Sequence, residues 1–156
     1  MTPAIDLARK AGIAHQVHEY GHDPKSDSYG TEAAEKLGLD PDRVFKTLVV
    51  ETDNGELVVG IVPVSATLNL KRLARAIKAK KVTMADKQKV QRTTGYVLGG
   101  VSPLGQKKAL TTVIDGSAQG FDTIYVSAGR RGLEIELSAD SLRQLTRGTM
   151  ADIRQD

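Results

Sequence analysis

The sequence predicts one α+β domain in which helices flank a mixed, strongly curved, barrel-like β-sheet. Three observations lead there. A chain of 156 residues, 40% hydrophobic and 26% charged, has the size and composition of a single folded domain rather than a disordered or fibrous chain. Asp53-Asn54-Gly55 between two β-rich runs is a strong hairpin signal. Helical stripes are interspersed with a later β-meander, which calls for mixed layers. No repeat, low-complexity tract or linker interrupts the chain, so residues 1–156 are expected to form one domain.

The elements follow in order. Residues 3–11 are predicted as a helix that Thr2 can cap, with Pro3 at its first position and Gly12 closing it. Residues 15–20 read as a strand, followed by a loop carrying Gly21-His22-Asp23-Pro24 and a polar stretch to Tyr29. A second helix runs over 31–37, with Glu32 and Glu35 near its positive end and Gly38 after it. Residues 44–50 and 57–62 are the strands of the hairpin. Asn69 can cap a third helix, where Leu70, Leu73, Ala74 and Ile77 form an apolar stripe at i, i+3, i+4 and i+7. A short helix over 86–92 precedes a Gly-rich segment, 95–105. Strands are then predicted over 111–114, 123–127 and 133–137, with Gly129-Arg130-Arg131-Gly132 turning between the last two, and Ser138 caps a final helix to about residue 145.

Composition excludes several chemistries. With no Cys there is no disulfide framework, Cys-based zinc site or protein thiol nucleophile. The first residues lack a basic segment followed by an apolar one, and the apolar run 57–64 is too short to span a bilayer, so a cytoplasmic protein without a membrane partner is expected. The formal charge is +3 and the pI about 9.2. Its distribution says more: between Lys71 and Arg92 nine basic residues face a single acid, Asp86. That surface can meet a polyanion such as RNA, or it can be a solvated helix face.

Few residues invite chemistry. Lys46 shares a strand face with Val44, Leu48 and Val50. It can snorkel to a sheet edge or hold an ammonium at the floor of a pocket. Gly99-Gly100-Val101-Ser102-Pro103 offers two adjacent amides to a ligand oxygen, as an oxyanion hole does, or it is an ordinary Gly/Pro turn. Ser102 is not a nucleophile elbow, because that device uses the N–H of the following residue and Pro103 has none. His15, His18 and His22 lack partners at ligand spacing, so no metal is expected. Glu134 and Glu136 alternate with Leu133, Ile135 and Leu137, which predicts a solvent-facing strand surface, and Tyr20 is expected as a half-buried anchor.

Taken together, Tyr20-Gly21-His22-Asp23-Pro24, Val44-Phe45-Lys46-Thr47, Pro63-Val64-Ser65, Gly95 to Gly105, Tyr125-Val126-Ser127 and Arg131-Gly132-Leu133 resemble the YbaK-type Cys-tRNA(Pro) deacylases. These are free-standing relatives of the editing domain of bacterial prolyl-tRNA synthetases. The resemblance covers nearly the whole chain and implies that family's α+β fold. It implies hydrolysis of the ester between a mistaken amino acid and the terminal ribose of tRNA, with Lys46, Gly99 and Gly100 as catalytic residues. Tyr20, Thr47, Ser102, Pro103, Ser127 and Glu134 would bind substrate; the family often has Asp at the position of Glu134. No cofactor or metal is implied, the cysteine substrate's own thiol supplying the nucleophile. The implied partners are the acceptor end of aminoacyl-tRNA and, in a transient complex, prolyl-tRNA synthetase. Competing readings are deacylation of another small residue, Ala or Pro, a non-catalytic tRNA-binding module, and a Schiff base on Lys46.

Overall fold

The helices begin where short polar side chains can satisfy their first amides. Helix α1 (Pro3–Ala11) is capped by Thr2, whose Oγ1 accepts from Ile5 N at 3.3 Å and donates to the Ala128 carbonyl. Asn69 caps α3 (Leu70–Ala76), Asp86 caps α4 (Lys87–Thr94) and Ser138 caps α5 (Ala139–Thr146), each accepting a backbone N–H at 3.0 Å. The structure is a computed structural model and describes residues 1–26 and 29–156. Part of the polar stretch expected before Tyr29 lies outside the described residues, and α2 (Tyr29–Leu37) starts two residues ahead of its predicted start.

The strands are β1 (Gln16–Glu19), β2 (Phe45–Thr52), β3 (Leu57–Pro63), β4 (Val82–Met84), β5 (Thr111–Asp115), β6 (Ile124–Arg130), β7 (Leu133–Leu137) and β8 (Thr149–Ala151). The hairpin forms as predicted, β2 and β3 pairing antiparallel with Phe45 opposite Pro63 and Glu51 opposite Leu57. The barrel-like sheet does not form. The strands divide into an antiparallel sheet β1-β7-β6 and a mixed sheet β4-β2-β3-β5-β8, joined by one isolated bridge between Val44 and Tyr125.

The reason lies in β3, every residue of which is buried. Val59 and Ile61 feed the main core, which holds Phe45, Val49 and Ile114 of the same sheet, Ile124, Val126, Ile135 and Leu137 of the small sheet, and α1 and α5. Val58 and Val62 feed a second core on the opposite face, with Leu73 and Ala74 of α3 and Val82 of β4. A sheet covered on both faces and ending in the edge strands β4 and β8 is an open central layer and does not close on itself. A third cluster, Ala33 and Ala34 of α2 with Val44 and Tyr125, lays α2 over the outer face of the small sheet.

Candidate active site

That third cluster decides the fate of β7. Its even residues were expected to face solvent, yet Glu134 is only 7% exposed. It stands in register with His18 of β1 and Ser127 of β6, on the face that also carries Tyr125. Burial pushes its carboxyl up to about 8, so it is protonated at neutral pH. Glu136 behaves differently. Burial acts to raise it, but hydrogen bonds from Thr123 (2.5 Å) and His18 (2.8 Å) prevail and hold it below the usual carboxylate range.

Glu134 lines a cavity of about 290 Å³ together with Tyr20, Gly30, Lys46, Thr47, Leu98, Gly99, Ser127 and Arg130. Lys46 comes from β2, Ser127 from β6, and Leu98 and Gly99 from the loop after α4. Burial lowers the Lys46 ammonium from the ordinary lysine value, and among the described residues no ion pair offsets it. Tyr20 is raised by burial and by the Glu134 charge, while its own backbone N–H donates to the Gly132 carbonyl at 3.0 Å. The Thr47 hydroxyl is buried with no hydrogen-bond partner among the described residues. Polar groups left unsatisfied inside a protein are costly, and here several face one cavity.

Of the Gly99 and Gly100 amides, only that of Gly99 lacks a hydrogen-bond partner among the described residues. Val97 to Gly100 is a β-turn in which Gly100 N–H donates to the Val97 carbonyl at 2.9 Å. Gly99 has φ +83°, the left-handed conformation that favours glycine at the third position of such a turn. The turn therefore uses the Gly100 amide and leaves that of Gly99 beside the cavity. Gly100 also lets the loop approach Arg130, whose Cα would lie 2.8 Å from an added Cβ.

Six residues singled out from the sequence thus meet in this cavity: Tyr20, Lys46, Thr47, Gly99, Ser127 and Glu134. Gly100, Ser102 and Pro103 do not line it. Ser102 is fully buried, its hydroxyl accepting from Leu104 N at 3.2 Å and its carbonyl from Gln106 Nε2 at 3.0 Å, so it folds the loop. Pro103 lines a separate cavity with Leu7 and Gly105. The sequence reading missed Gly30, Leu98 and Arg130. Arg130 had been placed in a turn but ends β6, and Gly30 sits where an added Cβ would collide with Val64 Cγ1. The histidines have separate partners: His15 the Ile13 carbonyl, His18 Glu136 and His22 Glu32. Among the described residues no group of three His, Asp or Glu side chains is arranged to hold a metal. None of their helices is long and apolar enough to cross a membrane.

Residues 23–145 match the model of the aminoacyl-tRNA editing domain, and the chain belongs to that family. Among individual proteins it is similar to EbsC of Enterococcus faecalis, provisionally named a Cys-tRNA(Pro)/Cys-tRNA(Cys) deacylase. The two are 37% identical over 153 residues, 97% of this chain and 92% of that one. It is also 27% identical over 123 residues to a proline–tRNA ligase of Pelobacter propionicus, covering 79% of this chain but 21% of the ligase. A solved structure described provisionally as a trans-editing enzyme for prolyl-tRNA synthetase shares the fold. Its TM-score is 0.86 at 22% identity, over 99% of this chain and 96% of that one.

Proposed function

We propose that the protein is an aminoacyl-tRNA deacylase that cleaves the ester of mischarged Cys-tRNA(Pro), and of Cys-tRNA(Cys), in the cavity between β2 and the Gly99 turn. One observation carries the reading: among the described residues a single cavity collects a lysine with no ion-pair partner, a protonated carboxyl and a glycine of the turn, and no histidine lines it. Such a site is poorly equipped to activate a side-chain nucleophile. The Ser127 hydroxyl accepts from Gly129 N at 3.2 Å, and among the described residues no side chain hydrogen-bonds to it as a base would.

An aminoacyl ester needs less. It is already activated, so orienting it and stabilising the developing oxyanion suffices, each well-placed donor contributing about 3 kcal/mol. In this reading the Lys46 ammonium and the Gly99 N–H face the ester oxygens. Glu134 faces the substrate's α-ammonium, whose arrival drives off the carboxyl proton and creates an ion pair in a desolvated site. The nucleophile is the substrate's Sγ. It forms a bond to the carbonyl carbon, the C–O bond to the ribose breaks, and the ribose oxygen leaves with the electron pair and takes up the proton the thiol gave up. The products are a four-membered thiolactone and tRNA with a free terminal hydroxyl; water then adds to the strained thiolactone carbonyl, the C–S bond breaks, and cysteine is left with its carboxylate and thiol. A cavity of about 290 Å³ is at the small end for ligand sites, in keeping with a small aminoacyl group. The likeness to part of proline–tRNA ligases supports prolyl-tRNA synthetase as a transient partner.

The test is a panel of aminoacyl-tRNAs offered to the purified protein. Cysteine should be released from Cys-tRNA(Pro) faster than alanine or proline from their esters. No release above the uncatalysed rate from any of them overturns the proposal, and preferred release of alanine or proline moves it to another small residue.

A further inference from the structure

A second concavity, of about 640 Å³, lies between α3 and β4. Leu70, Ala74, Ala79 and Val82 give it an apolar floor, and Lys71, Arg75, Lys80 and Lys81 rim it. Of the neighbouring cations, Arg72 pairs with Asp156 at 2.8 Å and with Asp152, and Lys89 pairs with Glu51 at 2.7 Å, whereas Lys78, Lys87 and Arg92 have no ion pair among the described residues. Among the described residues none of the four rim cations has an ion-pair partner, and all four are exposed. Like charges gathered without counter-charges repel one another and oppose the compact state, so their concentration in one groove calls for an external anion.

The groove and the cavity border one apolar cluster: Leu48 of the cavity and Leu70 and Ala79 of the groove floor each pack against the buried residues that include Val50, Leu73 and Val82. We infer that the groove binds the phosphate backbone of the tRNA acceptor stem while the aminoacylated end occupies the cavity, an inference that rests on the deacylase reading above. A phosphate backbone fits better than base readout, because among the described residues neither the floor nor the rim carries an aromatic ring on which a base could stack.

The experiment compares the wild type with a Lys71→Gln/Arg75→Gln/Lys80→Gln/Lys81→Gln variant. Lys10→Gln, an exposed cation on α1, is the control. Affinity for uncharged tRNA(Pro) is measured from 50 to 200 mM salt. Cysteine release is measured from full-length Cys-tRNA(Pro) and from cysteinyl-CCA trinucleotide. If all four cations meet phosphates, the log–log salt slope becomes shallower by about 3.6, which is about 150-fold in affinity over that range; two contacts give about 12-fold. The penalty on full-length substrate should exceed that on the trinucleotide at least tenfold. An unchanged slope, or an equal penalty on both substrates, overturns the inference. Should the fourfold variant fail to fold, Lys80→Gln/Lys81→Gln, confined to the turn before β4, gives the two-contact result. A wild type that binds tRNA through this groove but releases no amino acid refutes the deacylase reading and leaves the groove standing. A wild type that deacylates with no dependence on the groove does the reverse.

Discussion

Replacing Glu134 by Gln should make the protein more stable and less active, in a manner that depends on pH. In the folded chain burial raises this carboxyl from 4.5 to about 8. Between those values the unfolded chain binds fewer protons than the folded one, so stability falls as pH rises, by about 1.4 kcal/mol per unit. The loss accumulates to about 3 kcal/mol at pH 7 and levels off at about 5 kcal/mol above pH 8. Gln keeps the size and removes the ionisation. The variant should therefore match the wild type near pH 5 and exceed it by about 3 kcal/mol at pH 7, which is about 6 to 12 °C in melting temperature for a domain of this size. Urea and thermal denaturation of both proteins at pH 5, 7 and 8.5 measure the difference. A constant offset across the three pH values would refute the argument, because it would mean that Glu134 titrates alike in both states. The same variant should raise KM for aminoacyl-tRNA, since an amide offers no charge to the α-ammonium. Opposite signs for stability and activity distinguish a binding group from a structural one.

Three other outcomes are expected. Lys46→Ala should lower single-turnover deacylation by about 100-fold or more without lowering the melting temperature, because burial already disfavours its charge; unchanged activity with intact circular dichroism would remove Lys46 from the mechanism. Gly99→Ala places a side chain at φ +83° and should cost about 1 to 2 kcal/mol of stability while slowing release, as the turn shifts its amide; wild-type turnover in that variant would show that the amide has no part. Ser-tRNA(Pro) should be cleaved orders of magnitude more slowly than Cys-tRNA(Pro), because a hydroxyl is far less ionised than a thiol at neutral pH. Comparable rates on the two would assign the attack to water.

What could be read from the chain alone was whatever depends on neighbours within a few residues. Thr2, Asn69 and Ser138 cap helices because a hydroxyl or amide can reach an amide three residues on. The β2–β3 hairpin and the glycine at its turn follow from the same kind of local geometry, Gly55 having φ +85°. Lys46 was conspicuous because a charge on an apolar strand face contradicts its surroundings. Strands β4 and β8, three residues each, carry no such local signal and exist by pairing with β2 and β5. The unbroken apolar run of β3 held the clue that its sheet is buried on both faces, but only the arrangement of α3 and the small sheet divides its side chains between two cores. Glu134 is the sharpest case. Its alternation with Leu133 and Ile135 specifies that it points away from the main core, and solvent is the default on that side. The fold instead lays α2 and the Lys46 strand over that face, turning a surface carboxyl into a buried one that is protonated at neutral pH. Periodicity determines which way a side chain points; what it meets there is decided by elements distant in the chain, and the cavity's electrostatics depend on that second fact.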